Sequence, residues 1–205
     1  MSLYAPIKRL ADILVAGVVL VMTSPLLLIA AVAVKLTSRG PVLFTQLRAG
    51  RGGRPFRIYK YRTMRGGRAP NPKELVPLDH PEITAVGRVL RRTKIDELPQ
   101  LLNVLAGHMS LIGPRPTLPD QVERYDEFQR RRLDVRPGCT GLAQVNGNTV
   151  LSWPERIEWD VYYVERMSAL MDVSILVRTV AVIALGEQRF VRRFDESGLT
   201  LSQRQ

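Results

Sequence analysis

Between Asp12 and Glu74 the chain carries no acidic residue. Eleven cations fall in that interval: Lys35, Arg39, Arg48, Arg51, Arg54, Arg57, Lys60, Arg62, Arg65, Arg68 and Lys73. This part is therefore a surface of one sign. Over all 205 residues, 30 Lys and Arg against 19 Asp and Glu leave a formal charge of +11. Such an excess calls for an anionic partner: nucleic acid, a lipid headgroup surface or a phosphorylated substrate. Cysteine is scarcer still. Cys139 stands alone, which excludes an intrachain disulfide and a thiolate metal cluster. The two histidines, His80 and His108, sit in no cysteine-enzyme context, so Cys139 reads as a small residue rather than a nucleophile. No solenoid-length repeat occurs, nor paired zinc ligands, nor a basic region followed by heptads, so no nucleic-acid partner is expected. The length suits one packed domain, or one domain plus an attachment element.

What the chain does have is an apolar run, ILVAGVVLVMTSPLLLIAAVAV from Ile13 to Val34, about the length needed to cross a bilayer core as a helix. A straight span is one reading. Against it, Ser24-Pro25 lies at the centre, and cations flank both ends: Lys8 and Arg9 before, Lys35 and Arg39 after. Positive charge on both sides is compatible with entry and exit by one face. Pro25 removes the amide that would bond the Val21 carbonyl, and the Ser24 hydroxyl can satisfy a backbone group so freed. A re-entrant helix-break-helix is the favoured reading.

Beyond Pro41, VLFTQLRAG and RPFRIYKYRTM are β-rich runs separated by the glycine-dense RGG, which predicts a β-hairpin. Arg65 to Pro81 reads as an irregular loop. Ile83 to Arg92 predicts a short strand or helical turn, LPQLLNVLAG a helix stopped by Gly107, and MSLIGPRP an extended path. Asp120 to Leu133 predicts a charged surface helix with a solvated or headgroup-facing Arg130-Arg131-Arg132 end. SWPE, Ser152 to Glu155, is a capping box that opens a helix to about Met167. Asp172 is expected to cap the apolar helix VSILVRTVAVIAL, and the last residues to fray.

The acidic pair Asp96-Glu97 in TKIDELPQLL stands just before Pro99, a residue suited to a first helical turn. Two acids at a helix start are ordinarily caps. Here Arg91, Arg92 and Lys94 crowd the same spot, and the Gly113 to Pro116 turn returns Arg115, a setting that can hold phosphate or pyrophosphate. An aspartate there could attack phosphorus, and the longer Glu could hold Mg²⁺. The local chemistry leaves both readings open.

Several segments in order, KRLAD, the Ser24-Pro25 step, GPVLFTQLRAG, PFRIYKYRTM, KIDELPQLLNVL, MSLIGPRP, PGCTGLAQVNG and WDVYYVE, resemble the bacterial sugar transferases, the monotopic phosphoglycosyl transferases. The resemblance runs from about Lys8 to about Val180. It implies transfer of a sugar-1-phosphate from a UDP-sugar to polyprenyl (undecaprenyl) phosphate with release of UMP, the first membrane step of bacterial glycan or exopolysaccharide assembly. By the same resemblance Asp96 is the nucleophile that forms an aspartyl-phosphosugar, and Glu97 binds Mg²⁺. Lys60, Arg62, Arg91 and Arg115 help hold phosphates, and Ser24 and Pro25 break a re-entrant helix whose ends both stay cytoplasmic. Two positions depart from the family pattern, which commonly has Asp in place of His108 and Arg in place of Asn148, so neither receives a substrate role. The chain resembles the minimal catalytic form. The expected fold class is α/β, mostly α: a re-entrant membrane segment at 1–38, a cytoplasmic catalytic domain at 39–187 with a β-hairpin and membrane-surface amphipathic helices, and a tail at 188–205. Membrane phospholipids are expected partners, the bacterial inner membrane the expected location, and the apolar C-terminal helix leaves self-association open.

Overall fold

A computed structural model describes residues 4–65 and 76–201. Most of the loop expected over Arg65 to Pro81, residues 66–75, lies outside them. The chain opens with α1 (Tyr4–Thr37), which continues through Pro25 as one helix rather than as the two separate helices the Ser-Pro step predicts. Ser24 Oγ donates to Val21 O at 2.8 Å, so the carbonyl that Pro25 deprives of its amide partner is satisfied and the helical assignment is not interrupted. α1 is long and apolar enough to cross a membrane, and only 11% of its most apolar window is buried. It is therefore not the core helix of a water-soluble protein.

The buried stripe of α1 docks on the rest of the chain on both sides of Pro25. Before it, Ala16, Val19 and Leu20 pack with Phe56, Ile58, Leu101, Val104 and Met109. After it, Leu27, Ala30 and Val34 pack with Tyr61 and Leu90, and the Tyr61 hydroxyl donates to Leu27 O at 2.8 Å. The other face, with Val21, Met22, Leu28, Ile29 and Leu36, is exposed.

The predicted hairpin is present. β1 (Leu43–Ala49) pairs antiparallel with β2 (Pro55–Tyr61) in the register Leu43 to Tyr61 and Ala49 to Pro55. Its turn uses positive φ at Gly52 and Gly53, which glycine adopts without steric cost. α2 (Ala85–Arg92) is capped by Thr84, whose Oγ1 accepts from Gly87 N at 2.8 Å. Gly87 lies so close to the chain leaving β2 that a Cβ there would fall 2.0 Å from Thr63 O. α3 (Gln100–Leu105) follows, then β3 (Ser110–Ile112), which pairs in parallel with β4 (Gly138–Thr140). Between them, the expected surface helix is two short pieces, α4 (Pro119–Val122) and α5 (Glu127–Arg130), and a 3₁₀ turn at Arg131–Leu133. Arg132 is buried, not solvated, because Asp160 pairs with it inside the fold.

α6 (Leu142–Val145), α7 (Trp153–Arg166) and α8 (Ala169–Leu185) complete the body. The Ser152/Glu155 capping box forms as predicted. α8 is capped by Ser168 instead of Asp172. Asp172 accepts from Tyr4 Oη, Lys8 Nζ and Tyr163 Oη, and so ties α1 and α7 to α8. α8 also exposes Leu170, Val173, Val177 and Val180. Of the segment expected to fray, residues 202–205 lie outside the described residues, and the part before them is docked instead: Phe194 is buried against Trp159, with ring centroids 5.0 Å apart, and Trp159 Nε1 donates to Arg192 O. An aromatic ring inside the core outweighs the polar composition around it.

Candidate active site

Asp96 and Glu97 fall in a 3₁₀ turn, Ile95–Glu97, entered from Lys94 in the left-handed region at φ 58°. Neither acid caps a helix. α3 has Pro99 at its N-cap without a side-chain bond, and Asp96 Oδ1 is buried without a hydrogen-bond partner among the described residues. The cap reading of this pair is thus not the arrangement observed.

The turn is held against the hairpin by Asn103 of α3. Its Nδ2 donates to Arg57 O at 2.7 Å, and its Oδ1 accepts from Tyr59 N at 3.1 Å. That suture brings Lys60 beside Glu97, with Nζ 2.6 Å from Oε1. Arg115, on the Gly113–Pro116 turn, donates to the same oxygen at 2.8 Å, while its second contact, to Oε2, is long at 3.5 Å. Burial opposes ionisation of Glu97, but Arg115 and Lys60 outweigh it and hold the carboxyl well below the usual carboxylate range. Asp96 goes the other way. Burial, reinforced by the neighbouring Glu97 charge, pushes it up to about 6 against the partial opposition of Lys60, Lys94 and Arg91. The two adjacent carboxyls are therefore electrostatically different: one firmly anionic and paired, the other more basic, with an unpaired oxygen.

Of the expected phosphate ligands, Lys60 and Arg115 converge on Glu97. Arg91 lies close enough to Asp96 to favour its charge, but its Nε donates to Thr63 Oγ1 and its Nη1 to Val76 O. Arg62 is turned away and clamps the end of α1 through Ser38 Oγ and Ser38 O, at 3.1 and 2.7 Å. Ser24 and Pro25 lie in α1. Cys139 is partly buried in a site that pushes its thiol up to about 12, first by desolvation and then by Glu97, which agrees with an inert residue.

Several contributors carry no local signal in sequence. Arg48 Nη1 donates to Pro116 O at 3.4 Å, and its charge and that of Arg115 repel each other. Arg132 donates to Arg115 O at 2.9 Å and to Tyr125 Oη at 2.8 Å, is paired with Asp160, and lies 5.3 Å from the Trp153 ring centroid. It thereby fixes the backbone of the turn from which Arg115 reaches Glu97. Among the described residues no three His, Cys, Asp or Glu side chains gather as a metal cage. A Mg²⁺ ion usually takes one or two carboxylates and the substrate's phosphate oxygens, and the carboxylate oxygen that fits it here is Glu97 Oε2, whose one contact is long.

A family described as bacterial sugar transferase matches residues 3–186. A protein named as an uncharacterized sugar transferase, EpsL of Bacillus subtilis, is 45% identical over 181 residues, covering 88% of this chain and 89% of that protein. A UDP-N-acetylgalactosamine-undecaprenyl-phosphate N-acetylgalactosaminephosphotransferase of Aeromonas hydrophila is 44% identical over 90% of this chain and 45% of its own. A UDP-glucose:undecaprenyl-phosphate glucose-1-phosphate transferase of Klebsiella pneumoniae is 41% identical over 84% of this chain and 39% of its own. The chain thus spans less than half the length of these last two relatives.

Proposed function

We propose, from the premise that this chain belongs to the bacterial sugar transferase family, that it transfers a sugar-1-phosphate from a UDP-sugar to polyprenyl phosphate and releases UMP. The observation that carries the reading is the contrast between the two carboxyls: Asp96, buried with its Oδ1 unpaired among the described residues, beside a Glu97 held by Lys60 and Arg115. At neutral pH Asp96 is ionised yet more basic than an ordinary carboxylate, which suits a nucleophile. Its oxygen attacks the sugar-bearing phosphorus. The bond from that phosphorus to the bridging oxygen breaks, and UMP leaves with the electron pair. A phosphate oxygen of the polyprenyl acceptor then attacks the same phosphorus, and the Asp96–phosphorus bond breaks to return the carboxylate. Lys60 and Arg115, which pair with Glu97, would neutralise the diphosphate, and Arg91 would favour the Asp96 anion. Glu97 is the residue that would hold Mg²⁺, which when bound supplies charge neutralisation to the phosphate oxygens.

The membrane arrangement we infer is re-entrant, on the cytoplasmic face of the bacterial inner membrane, with α1 embedded from one side and the site residues above it. Support comes from the docking of α1 on one body both before and after Pro25, with the opposite face left apolar and exposed. A helix whose two halves both pack on one body keeps both of its ends beside that body. The apolar exposed residues of α8 fit the same lipid surface. Cysteines introduced near Met1 and near Thr37 are expected to label from the same side; labelling from opposite sides refutes the re-entrant path.

The reaction is tested by incubating purified protein with Mg²⁺, polyprenyl phosphate and a panel of UDP-sugars and measuring UMP. Release that depends on Asp96 and Glu97 is expected. Full activity of Asp96→Asn overturns the nucleophile assignment, and silence with every donor overturns the reaction.

A further inference from the structure

Among the described residues only two other than glycine take positive φ: Lys94 at 58° and Asn148 at 44°. They lie on separate loops, and both are bonded to one carboxylate. Glu187 Oε1 accepts from Lys94 Nζ at 3.1 Å and from Asn148 Nδ2 at 2.9 Å, and Oε2 accepts from Thr149 Oγ1 at 3.2 Å. Left-handed backbone at residues with a Cβ persists where surroundings over-determine it, and such positions cluster at functional sites. Glu187 is brought there by the segment after α8, which is anchored beyond it: Arg192 N donates to Asn146 O at 2.9 Å, and Phe194 is buried.

Charge divides this region into two sides. Lys60 and Arg115 gather on Glu97 and suit a diphosphate. On the side reached through Lys94 stand a carboxylate, an amide and a hydroxyl. Lys94 pairs with Glu187 at 3.1 Å, and beside that pair a neutral ring bearing hydroxyls finds both donors and acceptors. A carboxylate has about four acceptor positions. Glu187 accepts three described bonds, and its side chain retains 23% exposure, so an acceptor remains reachable.

We propose that Glu187, with Asn148 and Thr149, forms the wall that reads the hydroxyls of the donor's transferred sugar. The inference rests on the transferase reading above. In that reaction the transferred sugar is bonded to the phosphorus that Asp96 attacks, so it is the donor ring nearest Asp96, which lies two residues from Lys94. The ribose is one phosphate further away.

The test uses the full chain in detergent with Mg²⁺ and polyprenyl phosphate. UMP release by wild type, Glu187→Gln and Glu187→Asp is measured across UDP-glucose, UDP-galactose and their N-acetylamino counterparts. Glu187→Gln is expected to lower kcat/KM for the preferred donor about tenfold or more and to compress the ratio between that donor and its epimer by a similar factor. The KM for polyprenyl phosphate stays within about twofold, Glu187→Asp recovers part of the selectivity, and Glu196→Gln, on an exposed turn, keeps the wild-type profile. A uniform loss across all donors makes Glu187 a structural residue and overturns the proposal. A lowered KM for every donor overturns it in favour of a carboxylate that competes with the donor phosphates. Wild-type silence on every donor refutes the transferase reading and this one together, and is distinct from an active wild type whose selectivity Glu187→Gln leaves intact.

Discussion

Replacing Asp96 by asparagine is expected to abolish UMP release and to stabilise the protein at pH 8. The carboxyl titrates at about 6 instead of 3.8, first because it is buried and then because Glu97 lies beside it. A raised folded-state pKa means that the contribution of Asp96 to stability is fully present below about 3.8 and is lost as pH rises through about 6. Roughly two pH units at 1.36 kcal/mol each give about 3 kcal/mol at pH 8, an upper figure for a group that is buried but not isolated from neighbouring cations. Asparagine is neutral throughout, so it escapes that penalty above pH 6 and gains nothing near pH 4. For a chain of this length each kcal/mol corresponds to roughly 2–4 °C in Tm, so a rise of up to about 6–12 °C is expected at pH 8, shrinking towards zero at pH 4. Thermal unfolding in detergent, followed by Trp153 and Trp159 fluorescence, reads it. A Tm difference that is negative at pH 8, or equal at pH 8 and pH 4, refutes the reasoning.

Lys60→Met removes a charge that lowers the Asp96 pKa, so the acidic limb of the pH–rate profile should move above about 6, and an unmoved limb refutes the coupling. Arg132→Met leaves Asp160 buried without its partner and should cost about 3–5 kcal/mol in a denaturant titration; the double change with Asp160→Leu should recover most of it. Gly87→Ala would drive a Cβ to 2.0 Å from Thr63 O, and a loss of about 3 kcal/mol or more is expected by the same titration.

Features made by near neighbours in the chain are legible in the sequence. The Ser152/Glu155 capping box, the glycine turn between β1 and β2, and the Ser24 hydroxyl bonded to Val21 O each depend on residues a few positions apart. What is not legible there depends on distant partners. Arg132 in a triple-arginine run looks solvated until α7 brings Asp160 to it, and Asp172 looks like a cap until Tyr4, Lys8 and Tyr163 converge on it. Arg62 lies within the KYRTM motif close to Lys60 but points instead to Ser38, a direction set by where the end of α1 comes to rest.

The sequence by itself determined the apolar segment, the basic surface, the hairpin and the identity of the acidic pair, because composition, periodicity and motif order are properties of the chain alone. Only the tertiary structure decided what distinguishes Asp96 from Glu97. They are adjacent in sequence, but burial and the cations of β2 and of the Gly113–Pro116 turn push their pKa values in opposite directions. It also carried Glu187, from a segment with no motif, to Lys94 and Asn148, a meeting that follows from the packing of Phe194 and not from any local pattern.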